Sequence, residues 1–341
     1  MTGTQSHSTV VGLIAAWALD ACSPAERDLV EAHLGGCPAC AREAGELREA
    51  AADLGGAYLR PPPGRLAGLR AAAAGRRPPA TAVPGYAAPY AAQVAALDLL
   101  LSGLEPRDWP RIAAYGELSV RDLVVHLAAS DGLVAAGLGL TVRPPAVPGE
   151  TLAARTAAVL HAERGWPVDR VRQSWRAQAD ALCHALVGQA APGTVTVTLD
   201  RPVPLVDALT ARAFETWIHG EDIAAAAGRR PLPPLPEHLH PMADLAARIL
   251  PHVLFRHVPP PHDRSVRLHL TGDGGGSWTV PLRATVPGRG RPAAVISVDV
   301  VEFCRLAGDR RDPARVPVEV RGDTAVARQF LAAVPAMAVV P

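Results

Sequence analysis

Lysine is missing from this chain, and all 34 of its basic residues are arginine. That excludes a catalytic lysine or a Schiff base. An excess of one charge sign is missing too. Against 33 acidic residues the net charge is +1, so charge balance directs the chain neither to nucleic acid nor to an anionic membrane. Cysteine is scarce: five residues, two of them as Cys37-x-x-Cys40, do not form the disulfide framework of a secreted scaffold. Long apolar runs are lacking as well. Val10 to Leu19 is about half the length that spans a bilayer, and no Lys or Arg precedes it, so it does not read as a signal peptide. The apolar region 122–142 is interrupted by His126 and Asp131. With 49% hydrophobic and 20% charged residues, the balance is that of a globular protein. The expectation is a soluble, cytoplasmic, multi-domain chain, mainly α, with no direct nucleic-acid contact and no membrane segment.

Residues 1–60 read as a compact helical module. Val10, Val11, Leu13, Ile14, Trp17 and Leu19 follow a helical apolar pattern. Ser23 and Pro24 restart a helix as N-cap and first residue, Gly35-Gly36 stops it, and Cys37-Pro38-Ala39-Cys40 opens a third helix reaching about Leu54. His33-x3-Cys37-x2-Cys40 puts a His in the last turn of one helix and two Cys at the start of the next, where they converge on one tetrahedral Zn²⁺. The fourth ligand is His7 or Cys22. His7 is preferred, because the first helix can fold its start back onto the site.

These residues, with Ser-Pro-Ala-Glu-Arg and Glu-Ala-His-Leu around them, resemble the zinc-binding anti-sigma module. The resemblance covers roughly residues 5–55. It implies an extracytoplasmic-function sigma factor as partner, bound through residues 1–80. Residues 61–85 read as a Pro/Gly/Arg-rich linker, within which Arg65 to Ala74 is either a short helix that orders on the sigma factor, as the resemblance implies, or a plain spacer.

The second motif lies far downstream. Read as a helix, residues 213–223 carry Glu215, His219 and Asp222 at i, i+4 and i+7 on one face. Phe214, Trp217, Ile218 and Ile223 form the opposite, buried face. A carboxylate and an imidazole one turn apart among apolar residues are costly unless paired or bound to a cation. A third ligand is expected from a facing helix. Four helices are predicted: Ala91 to Leu104, one capped by Ser119, Leu152 to Val187 with a break near Gly165-Trp166-Pro167, and Leu205 to Ala227. His126 lies in the second turn of the helix that Ser119 caps, and on its own it reads as a core or surface histidine.

The segments around Ala96-Leu97-Asp98, Leu118 to Ala128 and Phe214 to Ile223 resemble the mycothiol-dependent maleylpyruvate isomerase family, a branch of the DinB-like bundles. That resemblance covers about residues 86–340. It implies a four-helix metal-binding bundle over 86–230 and a C-terminal α/β domain over 240–341. It also implies a divalent metal, commonly zinc, on His126, Glu215 and His219, and mycothiol or another small thiol as ligand. Asp222 is a candidate to orient His219. No catalytic residue is assigned beyond this metal site.

After a proline-rich connector, strands are expected at 265–270, 278–282, 293–296 and 316–320, with helices at 298–307 and 324–333. His252, His257 and His262 sit in a proline-studded context without a regular face and read as surface residues. Cys183 and Cys304 read as buried and inert. Two functions follow from these readings: an anti-sigma regulator whose metal-binding body senses a thiol or small ligand, or a mycothiol-dependent isomerase or S-transferase with a docking zinc module.

Overall fold

The computed structural model describes residues 3–55, 82–114, 118–189, 192–199, 201–257, 264–282 and 291–338. The chain divides into two compact units, Met1–Pro79 and Ala80–Pro341. The short helix expected at 65–74 lies outside the described residues. No helix among the described residues is long and apolar enough to cross a membrane.

The first unit contains α1 (Gly3–Ala18), α2 (Pro24–Leu34) and α3 (Pro38–Gly55). Ser23 starts α2 with a reciprocal capping box: Glu26 N–H donates to Ser23 Oγ and Ser23 N–H donates to Glu26 Oε2. Pro24 sits where its missing N–H costs nothing. Val10, Ile14, Val30, Cys40 and Ala44 form the buried core, with Trp17 and Leu34 packed at its edge. The guanidinium of Arg48 lies 3.9 Å from the centre of the Trp17 ring. This is a small core. Its size bears on what holds the unit together.

The second unit opens with α4 (Ala88–Ser102), then α5 (Val120–Gly137), α6 (Leu152–Ala162), α7 (Val168–Val187) and α8 (Leu205–Ala226). Helix α4 packs on α8, and α5 packs on α6, α7 and α8. Val94, Leu97, Leu123, Leu127, Trp175, Leu182, Leu209, Ala213 and Trp217 meet in the interior. Ser119 caps α5 by accepting from Asp122 N–H, and Thr151 caps α6 by accepting from Ala154 N–H. The expected break between 152 and 187 is present: Gly165 takes φ +79°, a left-handed conformation that favours glycine, and Pro167 caps α7. Two hairpins escaped the sequence reading. One pairs β1 (Ile112–Ala114) with β2 (Leu118–Ser119), and the other pairs β3 (Thr196–Leu199) with β4 (Arg201–Pro204).

After the connector comes α9 (Pro236–His257), a helix the sequence reading did not foresee because Pro241 and Pro251 lie inside it. An interior proline costs about 3 kcal/mol. Against that, Leu239, Met242, Ala243, Leu250 and Leu254 are buried along one face, and each large apolar side chain contributes about 1.5–3 kcal/mol. Burial outweighs the prolines. His252 is exposed on this helix, and His262 lies outside the described residues.

A four-stranded sheet follows in the order β6 (Gly276–Pro281), β5 (Ser265–Thr271), β7 (Ala294–Asp299), β8 (Val318–Gly322). β5 and β7 run parallel, and the other pairs are antiparallel. Val266, Leu268, Leu270, Ile296 and Val298 point into the core while Arg267 and His269 point out, the period-two pattern of a sheet covered on one face. Helices α10 (Val300–Ala307) and α11 (Thr324–Ala333) pack with α9 on that side. At the β5–β6 turn Gly274 has φ +85°, and a Cβ there would lie 2.7 Å from Pro236 O. Only glycine fits that approach to the start of α9.

Candidate metal centres

In the first unit the end of α2 delivers His33 and the start of α3 delivers Cys37 and Cys40, as their spacing predicts. The first turns of α1 bring His7 to the same point. The four donor atoms lie within 4.8 Å of one another. His7 Nδ1 is 3.1 Å from His33 Nε2, 3.7 Å from Cys40 Sγ and 4.0 Å from Cys37 Sγ. Tetrahedral zinc with bonds of about 2.0–2.3 Å separates its ligands by about 3.3–3.8 Å, so the cluster is close to the size that the ion needs. Hydrogen bonds from Cys40 hold the Cys37 thiol below its ordinary pKa, whereas burial and the neighbouring Cys37 raise that of Cys40. Cys22 stands apart. Its thiol points to the Leu13 carbonyl at 3.8 Å, and burial raises its pKa.

In the second unit α5 supplies His126 and α8 supplies Glu215 and His219, again with donors within 4.8 Å of one another. Glu215 Oε1 lies 2.7 Å from His126 Nε2 and 4.0 Å from His219 Nε2. The two imidazoles stand edge to face at 5.4 Å. Each imidazole is held from behind. His126 Nδ1 is 3.1 Å from Thr156 Oγ1, and His219 Nδ1 is 3.0 Å from Asp222 Oδ2. A carboxylate acceptor fixes the proton on Nδ1 and leaves Nε2 as the ligating nitrogen. Arg212 Nη1 donates to Glu215 Oε2 and Arg212 Nε donates to Asp131 Oδ1, while Ser130 Oγ donates to Glu215 Oε1 at 3.3 Å. Glu215 therefore offers one oxygen to the cluster and commits the other to Arg212.

The electrostatics agree with the geometry. Burial pushes the pKa of Glu215 up, but Arg212 and His126 outweigh it and hold the carboxyl well below the usual range. For Asp222, burial is likewise outweighed, by hydrogen bonds from Arg310 and His219. The cluster is not sealed. Side-chain exposure is 7% at His219, 18% at His126 and 27% at Glu215, so one side opens to solvent. Three N/O donors with an accessible side are the donor set of a catalytic zinc-type centre, whereas four S/N donors are that of a structural one.

The sequence reading missed Arg212, Thr156, Ser130 and Arg310, and it registered Asp131 only as an interruption in an apolar run. Arg212 lies one turn before Glu215, a spacing that could have exposed it. Cys183 and Cys304 are buried and lie outside both clusters. Burial pushes the Cys183 thiol up to about 12 and raises that of Cys304, which makes both unreactive.

Comparison with known proteins gives two family matches. Residues 8–41 match the putative zinc-finger family. Residues 90–224 match the mycothiol maleylpyruvate isomerase N-terminal domain. His33, Cys37 and Cys40 fall in the first span, with His7 one residue before it. His126, Glu215 and His219 all fall in the second. Among solved structures, a mycothiol-dependent maleylpyruvate isomerase aligns with TM-score 0.47 at 17% identity, covering 70% of this chain and 93% of that one. A histidine-to-alanine mutant of such an enzyme aligns with TM-score 0.49 at 14% identity over the same shares. No curated protein matches significantly. The two family matches thus follow one another along the chain, the zinc-finger match over residues 8–41 and the mycothiol maleylpyruvate isomerase N-terminal domain match over residues 90–224.

Proposed function

We propose that this chain, a zinc-finger module joined to a maleylpyruvate isomerase-type body, is a cytoplasmic anti-sigma-type regulator that binds an extracytoplasmic-function sigma factor through residues 1–80. In this reading the body senses a thiol or small ligand. The observation that carries it is the assembled four-donor cluster of His7, His33, Cys37 and Cys40, set in a unit whose core is too small to be an end in itself. Such a module serves by presenting helices to a partner. Zinc would fix the mutual angle of α1, α2 and α3, and the helix faces turned away from the metal supply the contact.

In the body, His126 Nε2, Glu215 Oε1 and His219 Nε2 would hold a divalent metal. When bound, the ion supplies Lewis acidity that favours the anionic form of a thiol or water beside it. The protein's own part is to hold the donors. Thr156 and Asp222 fix the two imidazole orientations, and Arg212 restrains Glu215 and offsets its charge. Sensing requires that ligand-bound and free bodies differ in their contacts. The open side of the cluster at Glu215 and His126 is where such a ligand would enter.

The test is recovery of the tagged, intact chain from its native cytosol, with bound proteins identified by mass spectrometry. The expected result is a stoichiometric sigma factor that is lost with Cys37→Ser or Cys40→Ser. Its absence under reducing, zinc-replete conditions overturns the regulator.

The accessible three-donor cluster also supports a second reading, a mycothiol-dependent isomerase or S-transferase whose zinc module docks it to a partner. Mycothiol-dependent turnover of maleylpyruvate or another electrophile, abolished by His219→Ala, would establish that activity.

A further inference from the structure

The turn of α8 that carries His219 is also the turn on which the C-terminal domain sits. Ile218, Glu221 and Asp222 each meet a residue at or just beyond the end of α10. A Cβ on Gly308 would lie 3.1 Å from Ile218 Cδ1 and Cγ1, so the two elements approach at glycine distance. Arg305 donates to both oxygens of Glu221 at 2.8 and 3.0 Å. Arg310 Nε donates to Asp222 Oδ1 and its Nη2 to Asp222 Oδ2, both at 2.6 Å.

The backbone is shaped for that last contact. Arg310 N–H closes onto Arg305 O at 2.7 Å, and Asp309 takes φ +57°, a left-handed conformation that Asp adopts more readily than most residues. The turn throws the Arg310 side chain back over α8, where its Nη1 donates to Gly308 O at 2.6 Å. Asp222 Oδ2 thus accepts from both Arg310 and His219 Nδ1. A continuous chain of bonds runs from the C-terminal domain to a donor of the bundle cluster. A carboxylate clamped by a planar fork has no freedom to swing away from the imidazole.

We propose that Arg310 is a positioning residue for the bundle metal centre. It fixes Asp222, Asp222 holds His219 with its Nε2 aimed at Glu215 and His126, and metal affinity in the bundle thereby depends on the Arg310 fork. The coupling is reciprocal, so a bound metal tightens the Arg310–Asp222 contact. The proposal rests on the reading of His126, Glu215 and His219 as metal ligands.

The test is Co²⁺ titration of the full chain with its N-terminal site kept zinc-loaded, against a competing chelating dye, with His219→Ala defining uptake outside the bundle. Losing an outer hydrogen-bond partner of a ligand costs about 10–100-fold in affinity. Arg310→Met is therefore expected to weaken Co²⁺ binding about tenfold and to alter the ligand-field spectrum. Arg310→Lys, which keeps the charge and loses the fork, is expected to fall between wild type and Arg310→Met; it also serves if Arg310→Met fails to fold. Asp222→Asn should match Arg310→Met, and the double variant should be no weaker than either. Arg305→Met, which breaks the Glu221 fork at the same interface, should lower thermal stability while leaving Co²⁺ affinity and spectrum unchanged. Wild-type affinity in Arg310→Met, or an equal loss in Arg305→Met, overturns the proposal. A wild-type chain that takes up no more Co²⁺ than His219→Ala overturns the metal reading, and the proposal with it.

Discussion

The two metal-type centres are built in opposite ways. In the zinc-finger module, three of the four donors lie between residues 33 and 40, beside a small cluster that among the described residues comprises Val10, Ile14, Val30, Cys40 and Ala44. In the bundle, His126 and Glu215 are 89 residues apart, and they meet only because α5 and α8 pack in a large common interior. The module's interior is so small that an ion is expected to hold it together. The bundle has an interior already and uses it to aim donors. Local spacing serves the first arrangement, whereas packing and buried ion pairs serve the second.

Removing metal is the strongest way to break that contrast. A core this small contributes no more than about 3–5 kcal/mol, whereas structural zinc supplies about 10–16 kcal/mol of apparent folding free energy in isolated fingers. Chelation is expected to abolish amide-exchange protection across residues 8–41 while residues 90–224 stay protected. Protection persisting in the module after the ion has gone would show that its core suffices and would erase the distinction.

The next largest effect is expected at Arg212. Its side chain is 2% exposed, and it pairs with Asp131 at 0% and with Glu215. Removing one member of a buried ion pair leaves uncompensated charge and costs about 3–5 kcal/mol. Arg212→Met should lower the body's unfolding free energy, read from urea denaturation, by that amount, and adding Asp131→Leu should recover part of it. A loss under about 1 kcal/mol would mean that water reaches these carboxylates and that the buried pair does not shape the site.

His126→Ala separates ligation from folding. Metal affinity in the bundle should fall by more than the roughly 10–100-fold that loss of an outer partner costs. Stability of the metal-free chain should change by about 1 kcal/mol or less, because Arg212 and Ser130 still engage Glu215. Global unfolding of this variant would make the bundle centre structural, like the module's.

What the sequence revealed follows the same division. His33, Cys37 and Cys40 were readable from spacing alone, and His7 from the way α1 can fold back. The helices of the bundle were readable from their apolar stripes, and the break at Gly165-Trp166-Pro167 from its residues. Glu215, His219 and Asp222 shared a face by periodicity, but His126 stood out only through a family resemblance, since nothing local marks a donor whose partners are supplied by another helix. Helix α9 was hidden because Pro241 and Pro251 read as breaks, while the burial that overrides them is a tertiary property. Arg212 and Arg310 were hidden among 34 arginines. Arg310 in particular acts across 88 residues, through a turn whose backbone conformation no residue pattern announced.

The finest test acts on the module without touching its ligands. Ser23→Ala removes the hydroxyl that accepts from Glu26 N–H at the start of α2, and loss of such a cap costs about 1 kcal/mol. Because metal binding and folding are coupled in a unit of this kind, the cost should appear as zinc affinity weakened about fivefold in chelator competition, with His33, Cys37 and Cys40 unchanged. The carboxyl of Glu26 gives an independent reading. The Ser23 hydroxyl and backbone N–H hold its pKa below the ordinary value, so its contribution is present above the unfolded carboxyl pKa and is lost as pH falls through the folded one. In Ser23→Ala the Glu26 titration followed by NMR should therefore move up towards the ordinary value. Unchanged zinc affinity alongside a shifted Glu26 would mean that the ligands alone hold the ion and that the helices contribute nothing to its retention. The contrast between a metal-built module and a core-built bundle would then be sharper still.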